Sequence, residues 1–507
     1  MIDFNFFRIA FLCMLFVGCG EGSSFSSQGK QAAGAQPPNI VLIVVDDLGY
    51  GDLGCFGQQI LQTHHIDRLA QGGMRFTQHY AGSTVCAPSR ASLLTGKHPG
   101  HVSVRGNQPA PQLLKDEEVT IAEALGKAGY TSAVVGKWGV GHPPAPDDPA
   151  RNGFDHAYGY INMWHAHNFY PEFLYENAEK VALAGNVNDD GYDFSKQHPQ
   201  GLPEGTGVAR EKGTYVLGEF EKQALGFIED NKDKPFFLYL ALNMPHTNNE
   251  AGYVLGDGQE VPMVQMDGKL VADYGTYGEH DWPNPEKGFA TMITLLDQTV
   301  GLVEQRLAEL GLTENTMVVF VSDNGPHQEG GHRVDFFDSN GPLRGSKRDL
   351  YEGGIRVPMI VKYPGKVAAG STSDMPCASW DFLPTFCELA GTEVPAGVDG
   401  ISFLPTLTGK ADEQRKHRWL YWEFYEQGGK QALREGDWKY VKLNVRDPEQ
   451  PITQELYDLS KDLGETQNLI MDYPGVAARM DSILGTEHVP IEGVSLFAME
   501  RDAETAF

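Results

Sequence analysis

Cysteine is scarce in this chain of 507 residues, with six in all. Cys13 and Cys19 fall in an apolar N-terminal stretch, which leaves Cys55, Cys86, Cys377 and Cys387. So few thiols exclude a disulfide-built scaffold, the solution of chains too short to bury a core, and this chain is long enough to bury a large one. Only Cys377 and Cys387 leave a pairing open, and two buried free thiols fit them equally well. Neither a Cys-x-x-Cys nor a His-x-x-x-His pair occurs, so nothing in these spacings points to zinc. Positive charge is the second shortage. Forty Lys and Arg stand against 68 Asp and Glu, a formal net charge of −28. That balance argues against a nucleic-acid surface and for solubility, in a medium salty enough to screen self-repulsion. A pocket for an anionic substrate must then be built locally from few cations. Long apolar runs are the third: Ile9–Val17, about nine residues, is too short to span a bilayer as a helix.

What is present reads as a soluble globular protein, with 41% hydrophobic and 10% aromatic residues. Its length allows two or more structural units. Asn39–Asp47 is a β-branched run ending in two carboxylates, the pattern of a central parallel strand buried on both faces. Three segments share the design: Thr131–Val135 runs into Gly136-Lys137-Trp138, Phe236–Leu242 into Asn243-Met-Pro-His246, and Met317–Val321 into Ser322-Asp323-Asn324-Gly325. Helical periodicity is expected over His65–Gly72, Ala91–Thr95, Thr120–Ala128, Gly213–Asp230 and Phe289–Leu310. The alternation predicts an α/β domain with helices on both sheet faces, and ligands in such folds bind beyond the carboxyl ends of the strands. Asp147–Gly205 and Asn248–Trp282 are long, aromatic-rich and weakly periodic, and are read as insertions lining a pocket mouth. From about Arg418 short β-rich runs and a final helix, Asp472–Leu484, predict a smaller antiparallel sheet.

The strand ends carry the chemistry. An Asp-Asp pair is commonly a helix cap with a solvated neighbour, and Asp323-Asn324 commonly a turn. Together, three carboxylates and an amide at one sheet edge repel one another unless a cation sits among them, and oxygen donors suit Ca²⁺ or, less well, Mg²⁺. Arg90, Lys137 and Lys347 are the candidate cations. A Cys followed four residues later by Arg fits either a thiol activated by a guanidinium or a buried structural thiol.

The longer string decides between them. Cys86-Ala-Pro-Ser-Arg90, followed by Leu94-Thr95-Gly96, fills every position of the signature Cys-x-Pro-Ser-Arg-x-x-x-Leu-Thr-Gly and resembles the type I sulfatases. Arg344-Gly-Ser-Lys347 and Glu352-Gly-Gly-Ile-Arg-Val-Pro358 are similar to further sulfatase motifs, and the likeness covers about Pro38–Leu469. The resemblance implies an alkaline phosphatase-like fold: a large mixed, mostly parallel sheet sandwiched by helices, with a smaller C-terminal antiparallel sheet plus helix. It implies that a maturation enzyme converts Cys86 to formylglycine, whose hydrated aldehyde attacks sulfur. It implies Ca²⁺ held by Asp46, Asp47, Asp323, Asn324 and the oxidised residue 86. It also gives Arg90 the aldehyde hydrate, Lys137 and Lys347 the sulfate oxygens, and His246 or Lys347 the proton for the leaving oxygen. One position departs: many relatives have His where Gly136-Lys-Trp-Gly-Val-Gly141 has Gly139. His142, His165, His167, His327 and His332 are the candidates for its role.

The expected organisation is a signal peptide over 1–18, a flexible tether over 19–36, a catalytic domain over 37–415 and a C-terminal α+β subdomain over 416–507. Phe16-Val-Gly-Cys19 resembles a bacterial lipoprotein cleavage site, which implies export to the periplasm or cell surface with a lipid on Cys19. The expected activity is sulfate removal from a sulfated carbohydrate, acting on a terminal sugar of galactose type, with Trp164–Tyr170 offering aromatic faces to sugar rings. Two alternatives are a phosphoester or phosphonate-ester hydrolase of the same fold and a non-catalytic glycan-binding protein.

Overall fold

The Asn39–Val45 strand is the axis of the molecule. All seven of its residues are buried, which a strand achieves only when both faces of its sheet are covered. Alternate side chains leave on opposite faces: Ile40, Leu42 and Val44 enter one apolar core, and Val41, Ile43 and Val45 enter the other. Parallel partners flank it, Phe236–Ala241 on one side and Thr316–Ser322 on the other, and Thr131–Lys137 pairs in parallel with Phe236–Ala241. The computed structural model describes residues 36–107, 113–140, 149–189, 191, 201, 203–251, 274–491 and 495–497. Cys13, Cys19, His142 and the expected leader and tether lie outside them.

These four strands are the centre of a ten-stranded sheet. Its order is Ser371–Ser373, Met74–Phe76, Met359–Lys362, Thr316–Ser322, Asn39–Val45, Phe236–Ala241, Thr131–Lys137, His156–Tyr160, Phe173–Glu176 and Glu179–Ala182. His156–Tyr160 joins the parallel set, whereas Met359–Lys362 and Phe173–Glu176 pair antiparallel to the strands inside them. The sheet is therefore mixed and mostly parallel. Helices Cys86–Thr95, Ile121–Gly126 and Phe382–Ala390 cover one face, and His64–Gln71, Val216–Asp230 and Asn284–Glu309 cover the other.

Local chemistry sets several boundaries. Thr120 and Glu123 form a reciprocal cap, Thr120 Oγ1 accepting from Glu123 N at 3.2 Å and Glu123 Oε2 accepting from Thr120 N at 2.8 Å; such a cap fixes a helix start. Two helices begin earlier than periodicity indicated, at Cys86 and at Asn284. In both the added first turn contains proline, which the first turn of a helix tolerates because its N–H would have no intrahelical acceptor. The Thr131–Lys137 strand continues through Gly136, where φ is +110° and an added Cβ would lie 2.0 Å from Ala241 O. Only glycine lets the strand pass so close and deliver Lys137 at its end. The Asp147–Gly205 insertion supplies the sheet's last three strands on that edge. These are only four or five residues long, too short to show periodicity.

The C-terminal region holds the expected antiparallel sheet, Leu420–Phe424, Lys430–Glu435, Trp438–Leu443 and Thr453–Asp458. One face meets helix Pro474–Glu487 through Tyr421, Leu433, Tyr440 and Leu456; the other packs Trp422, Phe424, Ala432 and Val441 against Tyr80, Val85, Ile355 and Trp380. Lys439 Nζ crosses that seam to Glu352 Oε1 at 2.8 Å, and both side chains are fully buried. Residues from Pro37 onward form one compact unit. Cys377 and Cys387 are buried free thiols. No helix among the described residues is long and apolar enough to cross a membrane.

Leu42 is fully buried in the axial strand. Leu42→Ala should cost about 2–5 kcal/mol, read as a lower denaturation midpoint at unchanged m-value. An unmoved midpoint would contradict a packed core at this position.

Candidate active site

The parallel register levels the strand ends. Val45 lies opposite Ser322, so Asp46 and Asp323 emerge side by side, and Asp323 N donates to Val45 O at 3.0 Å. Asp47 takes φ +66°, the left-handed conformation that aspartate tolerates better than most side chains. The strand ends there, and its two adjacent carboxylates come to one side. Asp46, Asp47 and Asp323 each offer an oxygen, all within 4.8 Å of one another. Asn324 Nδ2 donates to Asp47 Oδ1 at 2.7 Å.

Cations interleave with these acids. Lys137 Nζ reaches Asp46 Oδ2 at 2.6 Å, and Lys347 Nζ reaches Asp47 Oδ2 at 2.8 Å. Arg90 lies one helical turn beyond Cys86, on the same face. It grips Asp323 Oδ2 through Nε at 2.9 Å and Nη2 at 2.8 Å, and its Nη1 donates to Lys137 O at 2.8 Å. All these side chains are buried. Burial pushes the Asp46 carboxyl up, yet Lys137 first and Arg90 with it hold it well below the usual carboxylate range. Asp323 goes the other way. Burial, and next the neighbouring Asp46, push it up to about 7 against the pull of Arg90.

Two buried oxygens here, Asp46 Oδ1 and Asn324 Oδ1, have no hydrogen-bond partner. Buried oxygens without donors, converging with two more carboxylates, fit a hard divalent cation. Asp46, Asp47, Asp323 and Asn324 would hold it.

Cys86 opens its helix with 1% of its surface exposed. Asn107 Nδ2 donates to its Sγ at 3.5 Å, and Asn107 Oδ1 accepts from Ala87 N at 3.2 Å. Burial pushes the thiol up; Lys137 and Lys347 pull it down, Asp46 and Asp323 oppose them, and the net shift is upward. The charges acting on residue 86 are thus the same cluster, and a cysteine here stays protonated. The guanidinium of Arg90 does not make it a thiolate, because Asp323 occupies that guanidinium.

His246 Nδ1 donates to Thr247 O at 2.6 Å, so its Nε2 is free to accept from Lys347 Nζ at 3.0 Å. Burial first, then Lys347, keep the ring well below its ordinary range, and it is neutral. Of the candidate histidines, His167 stacks on His246 with ring centroids 4.6 Å apart, and His327 lies at 6.1 Å. His165 packs among Tyr160, Phe173 and Tyr175, and His332 stacks on Phe289 with its Nδ1 2.6 Å from Glu286. Neither His165 nor His332 contacts the cluster. Gly139, at φ +72°, lies beside it: an added Cβ would sit 3.2 Å from Arg90 Cδ and 3.5 Å from Lys137 Cε.

Three residues of the site were not singled out from sequence. Asn107 holds the Cys86 turn. Glu250 faces His167 Nδ1 at 3.2 Å. Glu329 accepts from Lys347 at 3.3 Å and from Arg348, and lies 4.0 Å from His246 Nε2. An acid two residues after His327, in Pro326-His-Gln-Glu329, was the available signal.

A model of the family described as Sulfatase matches residues 38–392. The chain belongs to the sulfatase family. A second model, N-sulphoglucosamine sulphohydrolase, C-terminal, matches residues 345–485 of this sulfatase. Arylsulfatase A of Homo sapiens is 32% identical over 508 residues, covering 93% of this chain and 90% of that protein. N-acetylgalactosamine-6-sulfatase of Rattus norvegicus is 34% identical over 403 residues, covering 75% and 68%. The solved structure of Ps i-CgsB in complex with k-i-k-neocarrahexaose superposes with a TM-score of 0.70 at 27% identity, covering 93% of this chain and 97% of that one. The enzyme is a sulfuric ester hydrolase.

A divalent cation at about 100 times its dissociation constant should add about 2.7 kcal/mol of stability, read as a higher thermal midpoint. Chelation, or Asp46→Ala, should abolish that gain. A midpoint indifferent to cations in the unaltered protein would exclude the site.

Proposed function

We propose that this sulfatase removes sulfate from a sulfated carbohydrate, acting on a terminal sugar of galactose type, with Cys86 carried as formylglycine and Ca²⁺ on Asp46, Asp47, Asp323 and Asn324. One observation carries the reading: residue 86 lies among alternating buried carboxylates and cations, with its own thiol held protonated. As a cysteine it offers no nucleophile. An aldehyde at that position supplies, in its hydrated form, the nucleophilic oxygen, and Ca²⁺ supplies charge neutralisation for the oxygens of the ester.

The chain's own groups have these roles in the proposal. Arg90, fixed by Asp323, orients the group at residue 86. Lys137 and Lys347 hold sulfate oxygens, drawing them to ammonium groups in a site from which water is excluded. The proton for the departing alcohol oxygen sits on Lys347 Nζ, because His246 Nε2 accepts from it. His167, stacked on His246, holds that ring's plane.

Carbohydrate as the substrate class is supported by the relatives. The relatives named above include an N-acetylgalactosamine-6-sulfatase and a structure holding a neocarrahexaose. The Trp164–Tyr170 stretch reaches the site through His167, which stacks on His246, but Phe169 and Tyr170 are buried in the core and do not offer the aromatic faces to sugar rings expected from the sequence. Maturation of Cys86 by a separate enzyme and export with a lipid on Cys19 belong to the same proposal.

Cys86→Ala should lower turnover of a sulfate ester by about 10³-fold or more with the thermal midpoint little changed. Peptide mass spectrometry across residue 86 of the unaltered protein should show sulfur replaced by oxygen. Near-normal turnover by the Ala variant would end this mechanism. Faster turnover of an aryl phosphate than of the matched aryl sulfate would end the substrate assignment.

A further inference from the structure

Away from the catalytic cluster, Arg415-Lys416-His417-Arg418 is the longest uninterrupted basic run in a chain where acids outnumber Lys and Arg by 28. Arg415, Lys416 and Arg418 are exposed, and among the described residues none of the three forms a salt bridge. Cations side by side repel each other, and of these three only Arg418 has a partner given by the fold, the Trp419 ring. His417 is different: its Nε2 lies 2.7 Å from Asp381 Oδ1, and burial works against its charge while Asp381 favours it, with a net upward shift, so that charge is met inside the fold.

Lys416, His417 and Arg418 line a cavity of about 510 Å³, the size of a small-ligand pocket. It lies in the seam between the Ser371–Ser373 edge of the large sheet and the start of the C-terminal sheet. Lys416, His417, Arg418 and Trp419 form one wall, and Arg434 lies behind it. Arg434 is 4% exposed and is held by Gln78 Oε1 at 2.5 Å, Gly436 O at 2.9 Å and the Tyr80 hydroxyl, so this charge is fixed in place. The Arg418 guanidinium lies 4.7 Å from the centre of the Trp419 ring, which is half-buried against the helix-side core of the C-terminal sheet and holds that guanidinium at the cavity wall. Asp374 and Asp437 lie on the same lining and can accept only from donors such as hydroxyls.

This cavity is separate from the catalytic cluster yet joined to it by one strand. Leu420–Phe424 starts at the cavity, and two residues past its end Glu426 Oε1 accepts from Asn107 N at 3.1 Å, beside Cys86. At ~3.3 Å per strand residue the span from Leu420 to Glu426 is about 20 Å.

We propose that the cavity at Lys416–Trp419 is a second, non-catalytic binding site for a sulfated polysaccharide, gripping an inner stretch of the chain. Its cations take sulfate groups, and Asp374 and Asp437 take hydroxyls, a combination suited to a sugar polymer and poor for a bare polyanion. A chain held there raises the effective concentration of its other sulfated sugars at the catalytic cluster without any change in that cluster. The proposal rests on the carbohydrate reading above.

The test uses the full-length protein and its Lys416→Ser/Arg418→Ser double variant, with dextran sulfate, unsulfated dextran of the same length and polyphosphate as binding probes. Expected are binding of dextran sulfate weakened by about tenfold in the variant, weaker binding of polyphosphate than of dextran sulfate, and none of plain dextran. The variant's turnover of a small aryl sulfate should equal that of the unaltered enzyme, while KM for a sulfated polysaccharide substrate rises and kcat holds. Unchanged dextran sulfate binding by the variant would overturn the proposal, and so would polyphosphate binding as tight as dextran sulfate. Absence of aryl sulfate turnover in both proteins would instead count against the proposed reaction, and a variant-sensitive dextran sulfate affinity would still support this site.

Discussion

The structure depends on a set of charges kept out of water that only one another make tolerable. Asp46, Asp47 and Asp323 are delivered to one point by neighbouring parallel strands, and an isolated carboxylate there would be too costly to ionise. Lys137, Lys347 and Arg90 each answer one of them, from a strand end, a loop and a helix. The shapes of the surrounding elements follow from this demand. Gly136 lets the Lys137 strand press against Ala241, and Asp47 turns left-handed at the strand end. Removing one partner of such a pair leaves the other stranded, at a cost of about 3–5 kcal/mol, so these residues hold the fold together as well as forming the site. An anion entering the cluster meets ammonium groups already fixed in position.

The parts legible in the sequence are those where one residue type has one explanation. A β-branched run such as Ile40–Val45 has to be covered on both sides, and a sheet centre does that. Carboxylates at the ends of two such runs then had to meet, whatever the loops did. Asn107 was not legible, because it lies in a loop without periodicity and reaches the site only through tertiary packing; Glu329 lies in such a loop too, and its place two residues after His327 was its one local signal. The histidines show the same limit most sharply. His165 and His167 are two residues apart, and one packs among aromatic rings while the other stacks on His246. No local pattern separates them. The edge strands of the aromatic insertion escaped notice for the related reason that four or five residues are too few to reveal an alternation.

Gly139 has a physical account. Its left-handed φ and the nearness of Arg90 and Lys137 mean that a side chain there would strain the backbone and crowd the two cations. The missing imidazole is matched by the local backbone, not a vacancy in an otherwise ordinary loop. His167 enters the pocket from a different element, on the far side of His246, so the ring-bearing wall belongs to the insertion and not to the Lys137 strand.

The near-complete enclosure of residue 86 has a consequence for how samples of this protein behave. Another macromolecule can work on that side chain only while the polypeptide is still open, since folding removes it from reach. Molecules that close with sulfur in place keep it for life. If Cys86 is converted as proposed, two batches with identical purity and identical melting curves would differ in specific activity according to the fraction converted before collapse in the cell that made them.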